Sequence, residues 1–189
     1  MHVLLADAHP ERAAQVEAAL RQAGAALVQR SRPGENLLDA VSRLRPDVVL
    51  VDMQRPDRDA LDDVRALTAN QPRPIVMFVD QNDEAFMAEA IAAGVSSYNV
   101  VGAGLPDVKP IIQAAIAIFS RFAGLQSELR RMEASFEERA VIDRAKAVLI
   151  KRRRLSEPDA YRWLRRQAMN GGRRILDVAA EVLERNDGP

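Results

Sequence analysis

The fold is decided by one short stretch of the chain, Pro46-Asp47-Val48-Val49-Leu50-Val51-Asp52-Met53. Four consecutive apolar residues, three of them β-branched valines, are typical of a strand that is buried on both faces of a sheet. The carboxylate of Asp52 follows the run directly, where such a strand should reach the edge of its sheet. This stretch therefore predicts a parallel sheet with an acidic group at its carboxyl edge.

Similar apolar runs occur on both sides of this stretch and alternate with amphipathic segments. The other runs are Val3 to Ala6, Ala26 to Val28, Pro74 to Val79 and Tyr98 to Val101. Helical periodicity lies between them, at 10–23, 37–44, 60–69 and 83–93, and again from residue 108. Because parallel strands need helical crossovers, the pattern predicts a doubly wound, flavodoxin-like α/β domain. The strand-end residues Asp7 and Asp52 should converge at its carboxyl edge.

The composition excludes several kinds of site. The chain has no cysteine, which rules out disulfides, thiolate zinc sites and cysteine nucleophiles, and two histidines cannot form a histidine cluster. No nucleophile, base and orienting residue occur together outside the acidic edge, so we expect no enzyme activity, metal centre or cofactor. The N-terminus lacks the layout of a signal peptide, and no apolar run approaches the roughly 20 residues of a membrane span. We therefore expect a cytoplasmic protein.

The net charge is zero, but the two ends of the chain are oppositely charged. Residues 1–112 contain 11 Lys or Arg against 16 Asp or Glu, whereas residues 139–174 contain 12 against 3. A solvated helix face is one interpretation of the basic segment. The interpretation that we favour is a surface that binds a polyanion.

A long helix should extend from the α/β domain, since no proline occurs between Pro110 and Pro158. Its large apolar residues are spaced alternately by three and four positions, which is the repeat of a coiled coil. They form a seam of Ile118, Phe122, Leu125, Leu129, Met132 and Phe136, preceded by Ala115. We predict a homodimer joined along this seam. Packing of the seam against the chain's own α/β domain is the alternative.

The last third of the chain predicts three helices. The first covers 137–152, the second begins after the capping residue Ser156 and ends at Gly171-Gly172, and the third covers 173–183. Met169 is assigned to packing, and the predicted small core comprises Ile142, Ala145, Leu149, Ile150, Leu155, Tyr161, Leu164, Ala168, Ile175, Val178, Ala179 and Val182. The predicted domains are 1–118, an extended helix at 108–136, a helical domain at 137–184 and a tail at 185–189.

Residues 1–118 resemble the response-regulator receiver family in their alternating architecture and in the position of Asp52. The resemblance implies that Asp52 accepts a phosphoryl group beside a magnesium ion held by neighbouring acids. Three family features are absent, because the second acid after the first strand, the hydroxyl residue and the lysine are replaced by Ala8, Val79 and Val101. We therefore interpret Asp52 and Asp7 as phosphoacceptor-like residues, either vestigial or still used, in a domain that responds to a partner protein.

The C-terminal region carries four residue pairs in a fixed order, Ala145-Lys146, Ala160-Tyr161, Leu164-Arg165 and Ala168-Met169. With these pairs and the run from Ile175 to Ala179, residues 136–184 resemble the ANTAR domain, which is named after the antiterminators AmiR and NasT. The resemblance implies a transcription antitermination regulator related to AmiR. In such proteins a dimer presents two ANTAR modules to a pair of hairpins in nascent leader mRNA.

Within this family the chain is most similar to the NasT subgroup, through Met77-Phe78-Val79-Asp80 and the run from Val108 to Ile112. This resemblance implies control of a nitrate or nitrite assimilation operon. It also implies restraint by a NasS-like protein that senses nitrate or nitrite.

RNA binding requires cations for the phosphate backbone and flat side chains that stack on unpaired bases. The predicted RNA contacts are Lys146, Arg165, Arg144, Arg166, Arg173, Arg174 and Trp163. Lys146 and Arg165 stand at family motif positions and are the principal candidates. Trp163, which arginines flank, is the predicted stacking residue, whereas Tyr161 is assigned to the core.

Two other functions remain open at this point. A phosphorylation-dependent, DNA-binding response regulator would share the receiver-like domain and the basic C-terminus, although the helix spacing here differs from that of a helix-turn-helix. An adaptor whose basic domain binds an acidic protein is the second alternative.

Overall fold

The computed structural model describes residues 1–7, 10–32, 34–53, 58–101 and 106–187. The chain divides into two compact units, Met1–Ala123 and Gly124–Pro189. Ala8 and His9, which follow the first strand, lie outside the described residues. The side chain of Asp7 is likewise not described.

The first unit is the doubly wound domain that the sequence predicts. Its strands are β1 (His2–Asp7), β2 (Leu27–Arg30), β3 (Val48–Met53), β4 (Ile75–Val79) and β5 (Ser97–Val100). The helices are α1 (Pro10–Gln22), α2 (Leu37–Leu44), α3 (Arg58–Asn70), α4 (Glu84–Ala93) and the beginning of α5 (Val108–Arg153). All strand pairs are parallel, in the order β2-β1-β3-β4-β5. The fold class predicted from the alternating pattern is confirmed.

Helices cover both faces of the sheet, which explains why the central strands β1, β3 and β4 are apolar along most of their length. On one face α2, α3 and α4 pack against alternate strand residues such as Leu4, Val49 and Met77. On the other face α1 and the first turns of α5 pack against Leu5, Leu50 and their neighbours. Helices α1 and α5 therefore share one hydrophobic cluster.

Three strand ends come together at the carboxyl edge of the sheet. The Cα atoms of Asp7 and Asp52 are register partners in β1 and β3, so these two residues lie side by side as predicted. Asp80 directly follows β4, the neighbour of β3 on its other side. The fold thus places three acidic positions on three adjacent strands.

Helix α5 is continuous over 46 residues and includes both the predicted extended helix and the first predicted C-terminal helix. By length and composition alone, α5 is long and apolar enough to cross a membrane. One helix of this kind is only weak evidence for a membrane span. The side chains of Val108, Ile112 and Ala115 are buried in the cluster shared with α1. The start of α5 is therefore explained as part of the α/β core, and Ala115 belongs to that core rather than to the exposed seam.

The second unit packs α6 (Glu157–Gly171) and α7 (Ile175–Asp187) with the C-terminal part of α5. Ser156 caps α6 by accepting a hydrogen bond from the Asp159 N–H at 3.3 Å, as the sequence predicts. Gly172 ends α6 in a left-handed conformation with φ of 58°. The core contains Ala145, Leu149, Ala160, Leu164, Ala168, Val178 and Ala179.

Three packing assignments made from the sequence are wrong. Tyr161, Met169 and Ile150 are 44%, 72% and 37% exposed. Ala160, which was not assigned to the core, is fully buried. Because the inward face of α6 is set by Ala160 and Leu164, the residues that follow them point outward.

Candidate functional site

The acidic edge of the first unit is occupied by an arginine side chain. Nε of Arg12, in the first turn of α1, donates a hydrogen bond to Oδ2 of Asp52 at 2.7 Å. Nη1 of the same guanidinium donates to Oδ1 of Asp80. The side chain of Asp52 is only 1% exposed and that of Arg12 is 17% exposed. One cation thus bridges the ends of β3 and β4 in a largely water-excluded place.

The charges around Arg12 stabilise its protonated form. Burial by itself lowers the pKa of a guanidinium, but hydrogen bonds to Asp80 and Asp52 and the charges of both carboxylates outweigh burial and raise the pKa of Arg12 above its ordinary value. A cation in the first turn of a helix is also opposed by the helix dipole, so it requires acidic partners at that position. Arg12 is therefore a permanent positive charge at the acidic edge.

The receiver chemistry implied by the sequence resemblance needs a divalent cation, and the described residues do not fit one. A magnesium ion requires carboxylate oxygens at roughly 2.0–2.1 Å, whereas the guanidinium occupies Oδ2 of Asp52. Among the side chains that the structure describes, no group of three His, Cys, Asp or Glu is arranged to hold a metal. Val79, at the position of the family's hydroxyl residue, is buried and apolar.

The second candidate site is the outward face of α6, where the sequence motif pairs divide between two stripes. Ala160, Leu164 and Ala168, the first members of three pairs, are buried at 0%, 0% and 6% exposure. The second members, Tyr161, Arg165 and Met169, are exposed about 100° further around the helix at the same four-residue spacing. We call Tyr161, Arg165 and Met169 the outer stripe. Tyr161 and Met169, its two uncharged members, are large side chains that are exposed and are not part of the buried core of the unit.

The basic residues predicted to contact RNA differ in their surroundings. Lys146 Nζ is 2.6 Å from carboxylate oxygens of both Asp143 and Glu157, and these hydrogen bonds raise the pKa of Lys146 above 10.5. Arg173 pairs with Glu181 at 3.0 Å, and Arg174 pairs with Glu138 at 2.6 Å. The second pair links the residue that precedes α7 to α5. No ion pair is formed by the other three predicted cations within the described part of the chain, namely Arg144, Arg165 and Arg166.

Trp163, the predicted stacking residue, is partly buried against the core of the second unit. The guanidinium carbon of Arg153 lies 4.5 Å from the centroid of its ring. A cation over an aromatic face at this distance is a favourable interaction. One face of the ring is therefore covered within the chain, which favours Tyr161 over Trp163 as a surface for bases.

The predicted dimer seam lies on the surface of α5. Its six residues, Ile118, Phe122, Leu125, Leu129, Met132 and Phe136, are between 51% and 64% exposed. A row of large apolar side chains that is unburied in one copy marks an interaction surface. Dimerisation itself stays a prediction.

The sequence did not reveal Arg12 and Asp80 as site residues because their contacts are distant in the chain. Arg12 contacts Asp52, which is 40 positions away, and Asp80, which is 68 positions away. One sequence signal could have revealed Arg12. It is a basic residue in the first turn of a helix that follows an acidic strand end, where the helix dipole disfavours a cation.

Family comparisons agree with both parts of this description. The response regulator receiver domain model matches residues 3–99, and the ANTAR domain model matches residues 130–183. The chain belongs to the response regulator receiver family. It is a response regulator that carries an ANTAR domain, and neither family is an enzyme family.

Individual relatives share this organisation to different extents. The transcriptional regulatory protein PdtaR of Mycobacterium tuberculosis is 28% identical over 165 residues, covering 87% of this chain and 80% of PdtaR. The response regulator GacA of Pseudomonas aeruginosa is 32% identical over 96 residues, covering 50% of this chain and 44% of GacA. The match to PdtaR therefore extends through both units, whereas the match to GacA covers about half of either chain.

Solved structures support the fold of the first unit. The BeF3-activated receiver domain of Klebsiella pneumoniae RstA has a TM-score of 0.53 at 20% identity, covering 61% of this chain and 98% of that domain. The receiver domain of a modulated diguanylate cyclase from Desulfovibrio desulfuricans has a TM-score of 0.52 at 21% identity, covering 63% of this chain and 95% of that domain. At these identities the likeness shows the fold alone.

Proposed function

We propose that this response regulator is a transcription antitermination regulator that binds hairpins in nascent leader mRNA through its ANTAR domain. The ANTAR match at residues 130–183 and the excess of nine positive charges at 139–174 support a polyanionic target. An RNA target requires no bond to be made or broken, in agreement with families that are not enzymes.

The observation that carries this proposal is the outer stripe. Tyr161 is an aromatic residue with 44% exposure, Met169 is an apolar residue with 72% exposure, and Arg165 lies between them without an ion pair among the described residues. From Tyr161 to Met169 the stripe extends about 12 Å along the helix axis, enough for more than one nucleotide. Aromatic and apolar surfaces accept unpaired bases, and arginine binds phosphate or stacks on a base plane.

The remaining cations suit the phosphate backbone on either side of a loop. Arg144 and Arg166 are exposed and have no ion pair in the described part of the chain. Lys146, Arg173 and Arg174 are held by acidic residues of the same unit, so RNA would have to displace those contacts. We therefore assign the principal RNA contacts to the outer stripe with Arg144 and Arg166.

The proposal includes a homodimer joined along the seam of α5, which would bring two ANTAR domains to two adjacent hairpins. It places the protein in the cytoplasm, where nascent mRNA is made. The finer identification, with a nitrate or nitrite assimilation operon and a restraining NasS-like partner, rests on the resemblance of residues 77–80 and 108–112 to the NasT subgroup. Binding to a nitrate-assimilation leader RNA, and its reversal by a NasS-like protein, would test that part.

The decisive experiment is equilibrium binding of the full chain to a leader RNA that carries two adjacent small hairpins. The competitors are an RNA with scrambled loops and the same sequence as duplex DNA, each measured over a series of salt concentrations. We expect the intact hairpins to be preferred at moderate salt. Equal binding to all three with a steep salt dependence would reduce the basic segment to a nonspecific polyanion surface.

Variants of the outer stripe locate the contact. Tyr161→Ala should weaken binding by about 5- to 150-fold, because one base stacked on an aromatic side chain contributes roughly 1–3 kcal/mol. Arg165→Gln should weaken binding and lower the salt slope by about one, as expected for one phosphate contact. The controls are Asn170→Ala, exposed on another side of α6, and Arg185→Gln, which removes the same charge from α7. Losses as large in the controls as in the stripe variants would contradict the assignment.

A further inference from the structure

We propose that Arg12 is a built-in counter-cation that replaces the divalent cation of the receiver site and closes Asp52 to phosphoryl transfer. The inference concerns the first unit only and does not depend on RNA binding. It follows from the position of one guanidinium relative to two carboxylates.

The first step of the argument is steric. Nε of Arg12 is 2.7 Å from Oδ2 of Asp52, so a proton of the guanidinium lies against that oxygen. A metal ion needs direct contact with carboxylate oxygens at roughly 2.0–2.1 Å, which the bound guanidinium prevents at Oδ2. A lone pair committed to a charge-assisted hydrogen bond is also less available to attack phosphorus.

The second step is electrostatic. Arg12 contacts Asp52 and Asp80 together, and it supplies positive charge where the acidic strand ends meet. The Asp52 side chain is almost completely buried, so its charge requires compensation from the protein. Arg12 provides that compensation permanently, whereas a bound cation would provide it only when present.

The third step links this pair to the helix that leads out of the domain. Arg12 directly precedes Ala13, which is buried with Val16 and Leu20 of α1 in the cluster that also contains Ile112 and Ala115 of α5. The bridge to Asp52 and Asp80 therefore fixes α1 against the sheet beside α5. In this chain the position of α1 is set by an internal ion pair and not by a phosphoryl group.

Magnesium binding to the full chain tests the inference. We expect titration calorimetry to show no binding at millimolar magnesium for the unmodified protein. Arg12→Gln should bind magnesium measurably, at least about tenfold more tightly than the detection limit that the unmodified protein sets, because the acidic strand ends then lack their cation. The matched control is Arg21→Gln, which removes an exposed arginine from the same helix and should behave as the unmodified protein. A folded Arg12→Gln protein without this gain would overturn the proposal.

Two measurements on the unmodified chain decide the matter even if Arg12→Gln does not fold. In an NMR titration the Nε–H signal of Arg12 should stay unchanged as magnesium is added, and a shift that shows its displacement would overturn the proposal. Incubation with acetyl phosphate and magnesium should leave the intact mass unchanged. A phosphorylated species that disappears in Asp52→Asn would likewise overturn it.

Discussion

The exposed seam of α5 allows the strength of the predicted dimer to be worked out. Complete burial of a large apolar side chain contributes roughly 1.5–3 kcal/mol. More than half of each seam residue is exposed in a single copy, so pairing would contribute roughly 1 kcal/mol for each. Six residues in each of two helices give a total on the order of 12 kcal/mol, against an association cost of about 4–15 kcal/mol. The gain lies within the range of the association cost, so we expect a dimer whose fraction depends on the protein concentration.

A single charge in the middle of the seam should then separate the two copies. Leu125→Glu removes roughly 1 kcal/mol from each helix, about 2 kcal/mol in total, which weakens the dimer about 30-fold. The desolvation of two facing carboxylates adds to this loss. Sedimentation equilibrium of the full chain over a range of concentrations measures the effect.

The control for this experiment adds the same charge on the opposite side of the helix. Ser127→Glu lies two residues from Leu125 at an exposed position that the seven-residue repeat places away from the seam. It should dimerise like the unmodified chain. A chain that stays monomeric at high concentration, or a Leu125→Glu protein that dimerises as well as Ser127→Glu, would refute the reasoning.

Two further predictions concern the second unit. Lys146→Gln should destabilise it by about 1 kcal/mol or less, as for exposed ion pairs, measured by thermal unfolding. Hydrogen bonds to Asp143 and Glu157 raise the Lys146 pKa, so its stabilising effect is complete below the pKa of the unfolded chain and is lost as pH rises through the folded value. The unmodified and variant proteins should converge in strongly alkaline solution, and an equal difference there would contradict this role. Leu164→Ala should cost about 2.7–5 kcal/mol, because Leu164 is fully buried in a small core; denaturant unfolding followed by the chain's single tryptophan would show it, and an unchanged midpoint would refute it.

The central strands could be predicted from the sequence because each contains an uninterrupted apolar run, which indicates burial on both faces of the sheet. The edge strands β2 and β5 also contain polar residues such as Gln29 and Asn99. Val48 to Val51 and Ile75 to Val79 are buried throughout, as their composition requires. The sequence does not determine in the same way which face of a helix points inward in the second unit. Periodicity favoured the larger Tyr161 for the core, whereas the helix turns inward the small Ala160, whose size permits close packing of neighbouring helices.

The arginine at the acidic edge could not be predicted from any local pattern. The contacts of Arg12 join α1 to the ends of β3 and β4, and they exist only because the parallel sheet brings those ends together. The same sheet made the neighbouring positions of Asp7 and Asp52 predictable, since strand ends at one edge follow from topology alone. The convergence of the strand ends can thus be predicted from the sequence, but the cation that lies between the strand ends cannot.

If Arg12 prevents phosphorylation of Asp52, the signal that controls this regulator must supply its free energy at a site other than Asp52. A two-state element shifts only by as much as a ligand distinguishes its two states. Phosphorylation would supply that difference by a new charge at Asp52, and the ion pair with Arg12 removes this route. A partner protein that binds one state of the seam, or one state of the α1 and α5 pair, would supply it by burying surface. If the proposal for Arg12 holds, we therefore predict regulation by a partner. A partner whose binding is unaffected by both Arg12→Gln and Leu125→Glu would have to act on another surface.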